Sequence, residues 1–576
     1  FNLSSLVKSK VDGAVIEGSV KTTDMALGKI LKVNNLGNLS AHTKAEVTIR
    51  KKQYGGLGIN IDSLAISKLG FKGYDYKNIF AIGKYSEEIF DGRIISHDPN
   101  LDLMFQGGAT LSDISKKSVY NFYADVPYID LAALNFIKNK DKGKLSLRTM
   151  ANISSSGDDI YGNIDIKNVT YWGEKEHKFN SITLTSSFHD QDYKMDIKAP
   201  FIEAKYISTE HPREFISGIK SILLKEQFGE LMTNKNGDDR VRTPATSELD
   251  ILTYDTEMIL DILMPELYLA DSTHIALNVD QKDSLSLNIS SDRIALGQNS
   301  LKALDLHLSN SDSLLLSNIR ADMITLGKGN LYDNNIDILS KDGVVSLLCK
   351  LDQETNNSNE LIFNSSISFD RGTAGGIRTN IFLDSSFVNI RGYRLNIDSS
   401  YTSLAKREFT FRDFTINNGD QAICIDGTLS EDPADSIRVD FDRFDISIAD
   451  AFLKKKINIE GELTGNILAT GIYGTPNILM DVNGSNIALK SRTVGDLHIM
   501  SKWDQNRSRM NLLLQNNNEG LTPLTLSGYY QPSGKFLNMN VTLKEFGLSA
   551  VEPFLKGALI NTGGVISGDL VLMGTM

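Results

Sequence analysis

The chain has 576 residues, a formal net charge of −12 and a charged fraction of 23%. An acidic protein without a basic stripe is not expected to bind nucleic acid. The hydrophobic fraction of 41% is ordinary for a folded protein and excludes global disorder. No apolar run reaches the roughly 18 residues of a membrane-spanning helix. Asn, Ser, Asp and Gly residues separate short apolar runs, which is typical of a β-rich fold with many turns.

Residues 1–116 are predicted to form an N-terminal β-repeat segment. Alternating and β-branched runs predict short strands there, and glycine or asparagine pairs separate them. These runs are 14–20, 45–50, 57–67 and 102–107. The sequence begins with Phe1 inside such a pattern and shows no signal peptide. We therefore expect an internal piece of a longer protein, with its anchors and terminal domains outside this sequence.

Residues 117–211 are predicted to hold a degenerate copy of a repeat whose clearer copies come later. The segment Tyr128–Lys138 reads YIDLAALNFIK and is followed by Gly143. Ile164 and Ile166 then alternate with polar residues, which predicts paired strands.

Residues 212–248 interrupt the strand pattern. Apolar residues recur at three- and four-residue steps over 212–232, and Pro212 is suited to a first helical turn, so we predict a helix. The polar run 234–247 predicts a loop or hinge. An amphipathic helix beside a sheet is more often a cap over an open core than a membrane-surface or partner-binding helix.

Residues 249–438 show the clearest alternation and are predicted to form an array of β-strands. Apolar residues two apart place their side chains on one face of a strand, while polar residues take the other face. Turn clusters about ten residues apart predict antiparallel neighbours. The alternating apolar residues include Ile275, Leu277, Val279, Leu285, Leu287, Ile289, Leu304, Leu306 and Leu308.

Two copies of one repeat occupy 439–540 and, as the start of the next unit, 541–576. Residues 461–471 read GELTGNILATG, and residues 564–574 read GVISGDLVLMG. An alternating strand and a segment ending in Phe-Leu-Lys precede each copy, at an interval of about 102 residues. The alternating residues are Ile437, Val439 and Phe441 in the first copy and Met539, Val541 and Leu543 in the second.

The glycines of the repeat are predicted to be structural. They recur at strand spacing without a following helix, which favours turns, bulges and close strand approach over a nucleotide-binding loop. These glycines are Gly461, Gly465, Gly471, Gly564, Gly568 and Gly574.

The predicted sheet has one apolar face that needs cover. This face could pack against a second sheet, close into a barrel, or curl into an open trough that another apolar molecule fills. Alternation alone does not choose among the three.

Catalytic and metal-binding signatures are absent. The sequence has no His-Glu-x-x-His, Gly-x-Ser-x-Gly, phosphate-binding glycine loop or Cys-x-x-Cys, so we expect no enzyme activity, cofactor or metal. His189, Asp190 and Asp192 could bind a metal, but such a cluster at a polar turn is more often solvated surface. Cys349 is predicted to be a small buried residue on an apolar face, and its pairing with Cys424 is left open.

The segment Phe444–Met576 resembles the repeating β region of the TamB family, the translocation and assembly module inner-membrane proteins of the AsmA-like superfamily. The alternating strand, the segment running from Phe-x-(Ile/Leu)-Ser to Phe-Leu, and the Gly-x-(Leu/Ile)-x-Gly strand carry this resemblance. Over 122–171 the resemblance is looser, and elsewhere it rests on the strand pattern.

The resemblance implies a mostly β fold, a long antiparallel meandering sheet of repeats with a few short helices, curled into an open groove. It implies a periplasmic protein of a Gram-negative cell envelope, anchored in the inner membrane and reaching the outer membrane. The implied functions are carrying phospholipids to the outer membrane and supporting translocation and assembly of outer-membrane proteins in protein secretion. The alternating apolar residues named above are then the candidates for lining a lipid groove.

The resemblance also implies partners. These are phospholipid acyl chains, an outer-membrane barrel protein of the TamA type bound through a missing C-terminal region, and the inner membrane through a missing N-terminal anchor. The alternative is a closed β-solenoid with a structural or adhesin role and no transport. A solenoid would more naturally show coils of about 20 to 30 residues than a unit near 102.

Overall fold

The computed structural model describes most of the chain. The described residues are 2–10, 13–50, 56–86, 88–111, 117–137, 143–156, 159–173, 176–228, 245–311, 314–327, 329–353, 360–372, 376–390, 393–448, 458–474, 476–489, 492–518, 521–547 and 563–575.

The described residues fold into 37 strands and three α-helices. The helices are α1 (Leu27–Leu31), α2 (Pro212–Phe228) and α3 (Glu257–Leu263). The first nineteen strands are β1 (Asn2–Lys10), β2 (Gly13–Met25), β3 (Leu36–Arg50), β4 (Leu57–Phe71), β5 (Tyr74–Tyr76), β6 (Ile79–Ser86), β7 (Ile89–Asp98), β8 (Leu101–Leu111), β9 (Lys117–Asp130), β10 (Lys144–Ser156), β11 (Asp159–Trp172), β12 (Glu176–His189), β13 (Asp192–Ala199), β14 (Ile202–Ser208), β15 (Ser247–Thr253), β16 (Leu267–Leu269), β17 (His274–Val279), β18 (Leu285–Leu296) and β19 (Asn299–Ser311). The others are β20 (Leu314–Leu326), β21 (Gly329–Lys341), β22 (Val344–Leu351), β23 (Glu360–Arg371), β24 (Ile377–Leu383), β25 (Ser386–Ile390), β26 (Tyr393–Ile397), β27 (Ser400–Ala405), β28 (Glu408–Asn418), β29 (Gln421–Leu429), β30 (Ser436–Asp445), β31 (Ile459–Thr470), β32 (Asn477–Leu489), β33 (Arg492–Asp504), β34 (Arg509–Asn518), β35 (Leu521–Gln531), β36 (Phe536–Gly547) and β37 (Val565–Thr575).

The strands pair antiparallel, in most places with the next strand along the chain. Short connections favour this arrangement because antiparallel neighbours can be joined by tight turns. Where the order is interrupted, two short strands share one long partner, as β24 and β25 do on β23. This confirms the predicted mostly β chain with a long antiparallel meander and a few helices. The described strands therefore do not stack as the coils of the solenoid alternative.

The chain divides into two compact units. Unit 1 comprises Phe1–Ile222, Val241–Ser311 and Ala321–Asn330, and unit 2 comprises Leu223–Arg240, Asp312–Arg320 and Leu331–Met576. Strands β1 to β19 belong to unit 1, and β22 to β37 belong to unit 2.

Helix α2 begins at Pro212, as the sequence predicts, and extends to Phe228. The rest of the predicted helix and most of the predicted polar loop fall on 229–244, outside the described residues. None of the three helices in the described part of the chain has the length and apolarity needed to cross a membrane.

The two copies of the repeat share a β-bulge. The strand register shifts between Phe441 and Phe444 in the first copy and between Leu543 and Phe546 in the second. A bulge bends its strand and increases the local twist. After the bulge the first copy forms a short 3-10 turn at Ile446–Ile448. The remainder of both Phe-Leu-Lys segments, 449–457 and 548–562, lies outside the described residues.

A hydrogen bond to a hydroxyl group of the neighbouring strand stabilises each bulge. Arg443 and Glu545 adopt left-handed backbone conformations, with φ of 45° and 52°. The N–H of Arg443 donates to the Thr464 hydroxyl at 3.3 Å, and the N–H of Glu545 donates to the Ser567 hydroxyl at 2.8 Å. The Thr/Ser before the middle glycine of each copy therefore accepts a backbone N–H that the bulge leaves without a ladder partner.

The middle glycine of the first copy is required by close strand approach. Gly465 lies opposite Phe441 and has a φ of +129°, a region that residues with side chains rarely adopt. A Cβ atom at this position would come within 2.1 Å of the Asp481 carbonyl oxygen. At this position both the backbone conformation and the close approach of the neighbouring strand require a glycine.

We expect Gly465→Ala to lower the free energy of unfolding of unit 2 by ~2 kcal/mol or more, because both backbone strain and the contact with Asp481 oppose it. Gly474→Ala is the matched control, since the nearest atom to a Cβ there is 3.9 Å away. The measurement is denaturant unfolding followed by Trp503 fluorescence in a Trp172→Phe background. Equal stability of the two alanine variants would contradict the role assigned to Gly465.

Candidate functional site

The candidate site is the apolar face of the sheet, which the strand register assembles. Residues directly opposite each other in an antiparallel pair face the same side of the sheet. Ile275 lies opposite Ile289, and Ile289 lies opposite Leu306, so these three candidates form one cross-strand row. Leu277, Leu287 and Leu308 form the next row in the same way.

The first row in unit 1 extends well beyond the residues that the alternation singled out. It runs across nine strands, from β10 to β19. Its members in order are Ala151, Ile164, Leu184, Ile197, Ala204, Ile251, Ile275, Ile289 and Leu306. Sequence reasoning recognised the alternation at Ile164 but did not name it as a groove candidate, and it missed the other five of the first six because their strands alternate less regularly. The period-two pattern in SITLT at 181–185 and in ELDIL at 248–252 is the signal that would have found some of them.

Unit 2 contains a similar row that joins the two copies of the repeat. Phe441 of the first copy and Val541 of the second copy both belong to it. In order from β30 to β37 the row is Phe441, Gly465, Val482, Ile499, Leu514, Leu526, Val541 and Leu570. Val439 and Met539 share the next row, together with Ile467, Met480 and Leu512. The register therefore places corresponding residues of the two copies on one face.

The other candidates described next lie on the same faces, some of them opposite small or polar residues. Ile437 is opposite Ala469, and Leu543 is opposite Leu524. Leu285 is opposite Asn310, and Leu304 is opposite Ser291. The apolar rows are thus interrupted by small or polar side chains at several strands.

Burial separates the candidates into two groups. Leu277, Val279, Leu285, Leu304, Met539 and Val541 are buried, whereas the other nine candidates are half-buried. A core sealed between two layers would bury all of them. Most of this apolar surface therefore stays partly accessible to solvent.

The opposite face of the same strands is polar. His307 Nδ1 lies 2.6 Å from Asn288 Oδ1, and His274 Nε2 lies 2.9 Å from Asp250 Oδ2. Solvent screens these cross-strand pairs. Each therefore contributes between a few tenths of a kcal/mol and about 1 kcal/mol to the free energy of unfolding. Such polar pairs keep this face of the sheet hydrated.

Helix α3 covers one end of the apolar face in unit 1. Tyr171 and Phe201 are 1% and 6% exposed and form a core to which Ile259 of α3 contributes. The Phe179 ring packs edge-on against Phe201 at a centroid distance of 5.8 Å. This aromatic cluster is a fully buried part of the face.

The two cysteines lie on opposite faces of the sheet in unit 2. Cys349 is opposite Ile336 and Phe363, on the apolar face as predicted, but it is half-buried and not fully buried as expected. Cys424 is opposite Thr415 and Asp440, on the polar face. Both are free cysteines, and a disulfide between opposite faces is excluded by geometry.

The possible metal cluster does not form. His189 and Asp190 make a 3.2 Å contact in which both side chains are more than 80% exposed. Within the described ranges, no group of three or more His, Cys, Asp or Glu side chains is arranged to hold a metal ion. The two side chains at this turn are exposed to solvent.

The comparison with protein families is informative for unit 2. A family model described as TamB, N-terminal domain, matches residues 390–576. Residues 390–576 are TamB-like. The match covers about a third of the chain and includes the bulged repeat and the row from Phe441 to Leu570. It supports a cell-envelope protein of TamB type. No curated protein and no solved structure matches the chain significantly.

The native cysteines provide a test of the two faces. Burial raises the pKa of the Cys349 thiol, so a smaller fraction of this thiol is ionised to thiolate at neutral pH. In a Cys424→Ser variant we expect Cys349 to react with maleimide more slowly than free cysteine, with its rate rising over a more alkaline range. The measurement is the labelling rate against pH, with Cys349→Ser as the matched variant that reports the polar face. A profile for Cys349 identical to that of free cysteine would contradict its placement on the apolar face.

Proposed function

We propose that this TamB-like chain carries phospholipids on its apolar face, as part of an envelope protein that connects the inner and outer membranes. The observation that supports this proposal is the long, mostly apolar cross-strand row in each unit, much of which stays partly accessible to solvent. Transport of this kind needs an apolar surface and no reactive group. We accordingly propose a function without catalysis or cofactor.

The dimensions of the rows suit acyl chains. Neighbouring strands lie about 4.8 Å apart, so the eight strands from Phe441 to Leu570 give a row of roughly 34 Å. The hydrocarbon core of a bilayer is about 30 Å thick, so each acyl chain of a leaflet needs about half of that length. Each buried methylene contributes roughly 0.8 kcal/mol, while a headgroup can remain in water beside the sheet.

Small and polar residues interrupt the rows, and this favours transfer of a lipid along the sheet over tight binding at one place. Ser501 lies between Met480 and Leu512 in one row, and Gly465 lies between Phe441 and Val482 in the other. Such positions bury less apolar area than a leucine would, so a chain passing them is held more weakly. A surface of moderate and uneven affinity lets a lipid move from strand to strand.

The partners and the location belong to the same proposal. The full-length protein would be anchored in the inner membrane, lie in the periplasm of a Gram-negative cell and contact an outer-membrane barrel protein of the TamA type. Support for the translocation and assembly of outer-membrane proteins is the second role proposed for such a protein. That role would depend on unpaired backbone N–H and C=O groups at a sheet edge, which would pair with strands of the client protein, and not on the apolar side chains.

The first test is the lipid content of the purified chain. We expect native mass spectrometry and solvent extraction to show several phospholipids per chain after purification from bacterial cells in mild detergent. A folded, monodisperse chain without lipid would contradict the proposal and leave the protein-assembly role.

A charge on the apolar face should reduce that lipid content. Leu306 is half-buried in the unit 1 row, so Leu306→Asp is expected to reduce bound phospholipid at least about twofold with little loss of folded protein. Ser309→Asp on the same strand is the matched control, because Ser309 is exposed opposite Ser286 on the polar face. Lipid occupancy is measured by mass spectrometry and folding by circular dichroism. An equal loss of lipid in both variants would show that the charge does not act through the apolar face.

A further inference from the structure

An open cleft, called here the hairpin cleft, lies in unit 1 where β18 turns into β19. Its volume is about 950 Å³, and small-molecule sites occupy roughly 300 to 1,000 Å³. Residues of β16, of the turn between β18 and β19, and of the stretch 323–330 line it, and all of them belong to unit 1. Lys302 of the cleft is two residues from Leu304, the nearest groove candidate on β19. The hairpin cleft therefore adjoins one end of the apolar rows.

Two positive charges lie side by side in the hairpin cleft. Arg293 of β18 is directly opposite Lys302 of β19, so both side chains are on the same side of the sheet. Both are exposed, and within the described part of the chain neither makes an ion pair with a carboxylate. Like charges directly opposite each other on neighbouring strands are destabilising. An anion bound between these two side chains would relieve that repulsion.

An aromatic ring positions one of the two cations. The guanidinium carbon of Arg293 lies 5.5 Å from the centroid of the Tyr268 ring, which is a cation–π contact. A guanidinium over a ring can keep the N–H donors of its own plane directed toward other partners. Its planar set of donors matches the oxygens of a phosphate group, and the Lys302 ammonium adds a second positive charge. This pair of cations therefore suits a phosphate ester.

The same cleft contains two carboxylates. Asp271 and Asp292 line it, and both are exposed. Within the described ranges neither carboxylate forms an ion pair with Arg293 or Lys302, although Asp292 precedes Arg293 in the chain. The hairpin cleft thus presents charges of both signs that do not neutralise each other. A simple anion would be repelled by the carboxylates, whereas a ligand with both a phosphate and an ammonium group would satisfy both signs.

Buried hydroxyl groups hold the backbone beneath these charges. The Thr273 side chain is completely buried, and its hydroxyl donates to the Ala270 carbonyl oxygen at 2.7 Å and lies 2.7 Å from the Ser291 hydroxyl. The Ala270 N–H donates to the Arg293 carbonyl oxygen at 2.8 Å. These bonds join the break between β16 and β17 to β18. They hold the backbone around both carboxylates before a ligand binds, which lowers the cost of binding.

We propose that the hairpin cleft binds a phosphate ester with a primary ammonium group, of the phosphoethanolamine type. Arg293 and Lys302 bind the phosphate, and Asp271 and Asp292 bind the ammonium group. A headgroup at this position leaves its acyl chains free to lie along the apolar rows of unit 1. The assignment of this ester to a phospholipid rests on the proposed transport function, whereas the charges of the cleft do not.

Headgroup selectivity is the first test. Delipidated chain is mixed with vesicles that contain equal amounts of phosphatidylethanolamine, phosphatidylglycerol and phosphatidylcholine with identical acyl chains, and native mass spectrometry identifies the bound lipids. We expect phosphatidylethanolamine to be enriched at least about threefold over the other two, because only its headgroup has both a phosphate and ammonium N–H donors. Equal or greater enrichment of phosphatidylglycerol would overturn the pairing of an ammonium group with the carboxylates.

Removal of one cation tests the phosphate contact. Arg293→Gln is expected to reduce bound phosphatidylethanolamine at least about fivefold, because a neutral amide replaces a charged donor. Lys282→Gln is the matched control, since Lys282 is exposed on the turn that precedes β18 and does not line the cleft. Circular dichroism checks that both variants are folded. An equal loss in both would show that only net charge matters.

Removal of the carboxylates should change the selectivity and not only the amount of lipid. In the double variant Asp271→Asn, Asp292→Asn we expect phosphatidylglycerol to bind at least as well as phosphatidylethanolamine, because nothing then favours the ammonium group. The control is Asp190→Asn, which removes a negative charge at an exposed turn of unit 1. A merely structural role of the two carboxylates would lower the binding of all three lipids together.

A soluble headgroup separates the cleft from the transport function. Glycerophosphoethanolamine is titrated into delipidated chain and into Arg293→Gln, and binding is followed by phosphorus NMR. If it binds and Arg293→Gln weakens it, but no phospholipid binds, the cleft stands as a site for a soluble ester and the proposed transport fails. If phospholipid binds and no cleft variant changes the headgroup preference, the cleft assignment is wrong and the proposed transport stands. If neither binds, both proposals are wrong.

Discussion

The alternation of side chains along an antiparallel strand is the constraint on which the rest of this structure depends. A slip of one residue between two strands would move every apolar side chain of a strand to the wet face. The row from Ile275 through Ile289 to Leu306 exists only because the three strands pair in a register that places their apolar residues opposite one another. At Arg443 and Glu545 the bulges interrupt the ladder, and Thr464 and Ser567 fix them by accepting backbone N–H groups. Local hydrogen bonds thus preserve a long-range pattern.

The apolar face of this sheet is incompletely buried. The proposed function depends on the apolar surface that remains accessible. In unit 1 the Tyr171 and Phe201 cluster with Ile259 of α3 completes the burial at one place, and at another Phe215 of α2 packs against Tyr206. Elsewhere much of the face stays half-buried, so it gains less from the hydrophobic effect than a sealed core. The same surface that limits stability is available to an apolar ligand.

Polar interactions here favour solubility more than stability. The contacts of His274 with Asp250 and of His498 with Asp481 link neighbouring strands on the wet face, at 2.9 and 2.8 Å. Solvent screens such pairs, and each contributes little to the free energy of unfolding. They keep one face hydrated while the other stays apolar, which is the asymmetry that a lipid-carrying sheet requires.

The sequence by itself determined the fold class, the antiparallel neighbours, the start of α2 and the apolar residues of the most regular strands. Each of these depends on local periodicity or on a single residue such as Pro212, which a sequence displays directly. Only the tertiary structure decided which residues share a row, because register depends on turns and bulges that periodicity does not reveal. The joining of Phe441 with Val541 across five intervening strands, and the packing of Ile259 of α3 against Tyr171 and Phe201, are of this kind. They arise from contacts between residues far apart in the chain, whose partners no local pattern specifies.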